Sequence, residues 1–114
     1  MAFTAYHNIS GATAVVNELL ALGDISRQKI VCINIANTHD DEAATVSLYL
    51  FKDSTDAAVS KTFYFFKNRQ ISFRDHITLE SDDLLNFDNT VDTGYSLYIE
   101  VNSTATVDVM IKKS

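Results

Sequence analysis

Alternation is the strongest constraint on what this chain can become. In Ala44-Thr45-Val46-Ser47-Leu48-Tyr49-Leu50-Phe51, the residues Ala44, Val46, Leu48 and Leu50 share one parity. Tyr95-Ser96-Leu97-Tyr98-Ile99-Glu100-Val101 repeats the pattern, and in Ala105–Ile111 the odd positions are apolar while Thr106 and Asp108 turn to water. Successive side chains of an extended strand leave opposite faces, so a period of two marks a half-buried antiparallel strand. Proline is absent and glycine occurs only at Gly11, Gly23 and Gly94. Turns must therefore come from Asn, Asp and Ser, whose side chains bond nearby backbone and tolerate positive φ. Clusters of that kind stand at Asn37–Glu42, Lys52–Asp56, Asn68–Gln70, Asp88–Thr90 and Asn102–Thr104.

Two runs break the alternation. Ile30–Ala36 is apolar on both parities except at Asn34, and Lys61-Thr62-Phe63-Tyr64-Phe65-Phe66-Lys67 is aromatic on both. A strand apolar on both faces is expected to be covered on both. A two-layer sandwich covers one, which leaves the other to a terminal segment or loop, or to a subunit interface. Ala14–Gly23 reads as a helix with a terminal glycine or as a strand ending in Leu19-Leu20-Ala21-Leu22, and the surrounding pattern tilts it to strand. Ser81–Asn86, with a capping serine followed by acids, suits one helical turn. The whole predicts an all-β chain, an antiparallel β-sandwich that is jelly-roll-like with about eight strands.

The 114 residues suit a single domain over 1–114, and 46% hydrophobic residues are enough for a core without a disulfide. A formal charge of −6 argues against binding nucleic acid or an anionic membrane, since both need a basic face. No stretch approaches the roughly 18 apolar residues of a spanning helix. The start of the chain has neither the basic patch nor the apolar run of a signal peptide, so synthesis in a cytoplasm is expected. Cys32, the single cysteine, sits among Ile30, Val31 and Ile33 and reads as a small core residue.

Little points to catalysis. His7, His39 and His76 are far apart in the chain and match no ligand spacing. His39-Asp40-Asp41-Glu42 has acids but not the calcium-loop pattern, and reads as a solvated hairpin tip. Asp82, Asp83, Asp88 and Asp92 could meet around a loop as a calcium site, the less favoured reading. No serine lies in G-x-S-x-G, and no glycine-rich phosphate loop exists. No catalytic residue, cofactor or metal ligand is therefore expected. The aromatics Tyr49, Phe51, Tyr64, Phe66 and Tyr98 fall outside the clean core parity or on the doubly apolar runs. They are the candidate interface. Protein contact is favoured over sugar stacking because the chain has no tryptophan.

Several phrases carry a resemblance. Lys29–His39 with Ala44–Leu50, then Thr62–Asn68, Phe87–Thr90 and Tyr95–Leu97, together resemble small virion structural proteins of marine tailed bacteriophages, especially those infecting cyanobacteria. The similarity spans roughly residues 29–112. It implies a head, tail or fibre-associated component with a β-sandwich fold and no active site. Its partners would be further copies of the chain or other virion subunits, and its location the virion. It transfers no functional residue. The alternative is a carbohydrate-binding module that contacts glycans on a host surface.

Overall fold

The computed structural model describes residues 5–12, 14–24, 30–52, 61–80, 87–91 and 94–113. Its strands are β1 (Ala5–Ile9), β2 (Val15–Leu20), β3 (Ile30–Asn37), β4 (Ala44–Lys52), β5 (Lys61–Ile71), β6 (His76–Leu79), β7 (Ser96–Val101) and β8 (Val107–Lys113). Four antiparallel pairs, β1·β8, β2·β7, β3·β6 and β4·β5, treat the chain as one long hairpin folded at the β4–β5 connection. Rolling that hairpin pairs β3 with β8 and β4 with β7. The result is two four-stranded sheets, β1-β8-β3-β6 and β2-β7-β4-β5, in the strand order of a jelly roll.

Alternation built this core as expected. Val46, Leu48, Leu97, Ile99, Val101, Val107, Val109 and Ile111 are all fully buried between the sheets, joined by Ile33 and Ile35 from β3. The segment open to two readings is a strand, Val15–Leu20. Asn37 closes one end of the sandwich. Its buried amide donates to the carbonyls of Glu42 (2.8 Å) and Ile71 (3.0 Å), and its oxygen accepts from the His39 N–H (3.0 Å). One side chain of β3 thereby ties the loop before β4 to the end of β5 in the other sheet. The helical turn expected at Ser81–Asn86 and the Asp53–Asp56 turn lie outside the described residues, as do Asp82, Asp83 and Asp92.

The doubly apolar runs are corrected by register. Between Val46 and Leu48 the partners on β5 run from Arg69 to Phe66, and between Leu48 and Tyr49 from Phe66 to Tyr64. β5 thus carries one extra residue at each step, which is a β-bulge. Each bulge resets which parity faces the core. Phe65 and Phe66 both lean onto the core, while Tyr64 and Lys67 on either side of them fall on the outer face. β5 is also an edge strand, with Phe63 53% and Tyr64 47% exposed, so it is not sandwiched on two faces.

The same device operates in β3, whose register slips between Ile30 and Cys32. Ile30 faces the core on even parity, then Ile33 and Ile35 on odd. Cys32 is buried as expected, but it pairs with Lys112 on the outer side of the sheet and stands apart from the core cluster. A further slip, between Glu18 and Leu20, buries Leu19 and Leu20 together. A second correction follows. Asn68–Gln70 is no turn but the interior of β5, where Asn68 takes φ 53° and its N–H donates to Ser47 Oγ (2.9 Å). Asparagine tolerates that left-handed conformation better than most residues, which explains why a turn-like residue sits within a strand.

Candidate functional site

One row of the β2-β7-β4-β5 sheet collects most of the candidate residues. The pairings Glu18↔Tyr98, Tyr98↔Tyr49 and Tyr49↔Tyr64 run straight across all four strands. Their neighbours along the strands, Leu48, Leu97 and Ile99, are fully buried, so the period of two sends this row outward. Tyr49 lies between two rings: Tyr64 is 5.2 Å away and tilted 47°, and Tyr98 is 5.8 Å away and nearly parallel. Phe51, one step along β4, meets Tyr98 edge-on at 5.8 Å. Four of the five interface candidates are therefore a single cluster.

Phe66 is the exception. The sequence groups it with the outward aromatics, but the bulge sets it opposite Leu48, and its ring packs on the core with the Arg69 guanidinium 5.8 Å from its centroid. A signal for this was present in the run Phe63-Tyr64-Phe65-Phe66, since consecutive apolar residues are what a bulge leaves when it turns two neighbours to the same side. Sequence reading missed the charged groups that frame the row. Tyr98 donates its hydroxyl to Glu18 Oε2 (3.0 Å) at one end, and the Lys67 ammonium stands 5.1 Å over the Tyr64 ring at the other. Glu100 sits next to Tyr49. Burial first, then the charge of Glu100 and the neighbouring Tyr64, push the Tyr49 phenol above its ordinary value of 10.0.

The outer face of the β1-β8-β3-β6 sheet is built differently. Its rows are Asn8–Asp108–Ala36–His76 and Tyr6–Met110–Asn34–Thr78. Asn8 donates to Asp108, and Thr78 donates to Asn34 Oδ1 (2.9 Å). Ala36 leaves a shallow floor there, opening into hollows of about 460 Å³ towards Tyr6 and Asp108 and about 390 Å³ towards Arg74 and His76. His7 and His76 line these hollows separately.

The segment His39–Glu42 is not the hairpin tip expected from sequence but a loop crossing from β3 in one sheet to β4 in the other, and it brings His39, Asp41 and Glu42 ligand atoms within 4.8 Å of one another. Its bonds are those of a held turn. His39 Nδ1 accepts the N–H groups of Asp41 and Glu42 (3.2 Å each), Glu42 accepts from the Thr104 hydroxyl, and Arg74 reaches Asp40 (3.3 Å). Asp88, from the looser acidic group, accepts from the Thr90 N–H (3.0 Å) and hydroxyl (2.8 Å). Among the described residues, the tyrosine row is the cluster that joins the most ring area to directed polar groups. No family model matches this chain, and no curated protein is similar enough to it in sequence to count as a relative.

Proposed function

We propose that this chain is a non-enzymatic structural subunit of a phage particle, a jelly-roll domain that takes its place by protein contact through the outer face of the β2-β7-β4-β5 sheet. Jelly rolls serve viral capsids, lectins and cupins alike, so the fold alone favours no single role. The phage particle comes from the sequence resemblance over roughly residues 29–112, and the observation that carries the protein contact is the arrangement of the rings. A sugar stacks on the flat face of an exposed aromatic. Here Tyr49 is flanked by Tyr98 on one side and Tyr64 on the other, and the Tyr64 face is capped by Lys67. The row offers ring edges, hydroxyls and charged ends, the mixture enriched in protein interfaces. This favours a subunit contact over the carbohydrate-binding alternative.

The test is made on particles purified from cells that produce this chain. The chain should sediment with them through a density gradient, remain after a high-salt wash, and be present in many copies per particle. Recovery of the chain only in the soluble fraction overturns the reading.

A further inference from the structure

The outer face of the β2-β7-β4-β5 sheet is polarised. On that face β5 presents Lys67 and no acid, whereas β2 and β7 present Glu18 and Glu100 and no base; Lys61 and Arg69, whose ladder partners Lys52 and Val46 share the inward parity, add their charge at the same edge but off the face. In a chain whose formal charge is −6, this places a basic edge about 14 Å, three strand spacings, from an acidic one, with the tyrosine row between. We infer that this face pairs with the same face of a second copy of the chain, about a two-fold axis that runs parallel to the strands and passes between β7 and β4. The inference rests on the reading of this face as a protein contact, and it names the partner.

The charge pattern selects the axis. A two-fold perpendicular to the strands would set β5 over β5 and bring the Lys67 edges of the two copies together. An axis parallel to them sets β5 over β2 and β4 over β7, so that Tyr64 and Lys67 of each copy meet Glu18 of the other. Glu18 accepts from its own Tyr98 through one oxygen, and a carboxylate has capacity for further donors. Along the same rows Tyr49 meets Tyr98, and Phe51 lies over the small Ser96, which is its ladder partner within each sheet. Such an interface is isologous, each contact occurring twice. Addition of strands at the β5 edge is disfavoured by the same three cations, a common guard on exposed edges. Four strands of six residues give a flat patch of roughly 400 Å² on each copy, at the small end for stable complexes, so a concentration-dependent dimer is expected.

The experiment is sedimentation equilibrium with the full chain from about 1 μM to about 1 mM, a span suited to interfaces of this size. The mass should rise from 12.7 kDa to twice that value, and added salt should push the midpoint to higher concentration. Lys67→Glu and Glu18→Lys, both exposed, should each raise the midpoint about tenfold or more while leaving the melting temperature nearly unchanged. The two reversals combined in one chain should return the midpoint close to that of the parent, because the two-fold restores each pair. A monomer at every concentration overturns self-pairing and leaves the subunit reading to the particle experiment. A dimer indifferent to both reversals and to Tyr49→Ser places the contact elsewhere and overturns the inference together with the assignment of this face. A trimer or larger ring, or a double reversal that fails to restore pairing, overturns the two-fold axis.

Discussion

The two outer faces of this sandwich share strand number and a common core beneath, yet they treat their surface side chains in opposite ways. On β1-β8-β3-β6 the polar groups close on one another, Asn8 on Asp108 and Thr78 on Asn34, around the floor at Ala36. On β2-β7-β4-β5 the same outward positions hold a file of rings bounded by Glu18 and Lys67. A face whose polar groups bond to one another, with Tyr6 as a lone exposed ring beside them, gains less from a partner. A face that holds ring area at the surface between two opposite charges gains by acquiring one. The difference lies in the outward parity, since both sheets send mainly aliphatic residues inward, with Phe65 and Phe66 added at the β5 edge.

That contrast can be broken hardest from within. Ile99 and Tyr98 are adjacent on β7 but point to opposite sides, and Ile99 is fully buried. Ile99→Ala should cost about 2–5 kcal/mol in urea unfolding, through lost burial and the cavity left behind. Tyr98→Ala should cost about 1 kcal/mol or less, the scale of a cross-strand pair, while removing association. Thr78→Ala on the other face should leave association untouched. If Tyr98→Ala destabilises as much as Ile99→Ala, the ring belongs to the core and the contrast between the faces fails.

The next effect concerns the tie between the sheets. Asn37→Ala leaves two carbonyls and one N–H without their partner, and should cost about 1–3 kcal/mol in the same assay. Asn68 sharpens the comparison at the bulge that keeps Lys67 outward while Phe66 turns inward. Asn68→Val should lose about 1–2 kcal/mol because a branched residue resists a φ of 53°, whereas Asn68→Gly should stay within about 0.5 kcal/mol. Equal behaviour of the two variants would mean that the bulge does not depend on the left-handed residue.

The smallest effect is a pH dependence that belongs to the aromatic face alone. With its folded pKa raised, Tyr49 binds its proton more tightly in the folded chain than in the unfolded one. The stability linked to that proton is complete below pH 10.0, the unfolded value, and is lost as pH rises above it. Unfolding free energy measured by urea titration from neutral to alkaline pH should fall less steeply for Tyr49→Phe than for the parent. An identical slope would mean that the phenol is not held in the environment described.

Clean alternation made β4, β7 and β8 legible in the sequence, because burial on one face writes itself as a period of two. The class and approximate strand number follow from that pattern and from the asparagine-rich breaks. Where a bulge intervenes, the same physics produces adjacent apolar residues, as in Leu19-Leu20 and Phe65-Phe66. Such pairs look like burial on two faces when no partner strand is available to count against. That is why Phe66 reads as outward in the sequence; Asn68–Gln70 reads as a turn for another reason, the asparagine that serves a left-handed position inside β5. Tyr49, Phe51, Tyr64 and Tyr98 could be nominated from parity alone. Their assembly into one file required the register that aligns β2, β7, β4 and β5.

By itself, then, the order of residues determined that this chain is all-β, which aliphatic residues of β4, β7 and β8 face the core, and that Tyr49, Phe51, Tyr64 and Tyr98 stand off that parity. Those properties depend on side chains a few positions apart along one strand. Only the tertiary structure decided the jelly-roll strand order, the inward turn of Phe66, and the placing of Glu18 and Lys67 at opposite ends of the tyrosine row. Each of these depends on pairing between segments distant in the chain, where one extra residue exchanges inside for outside.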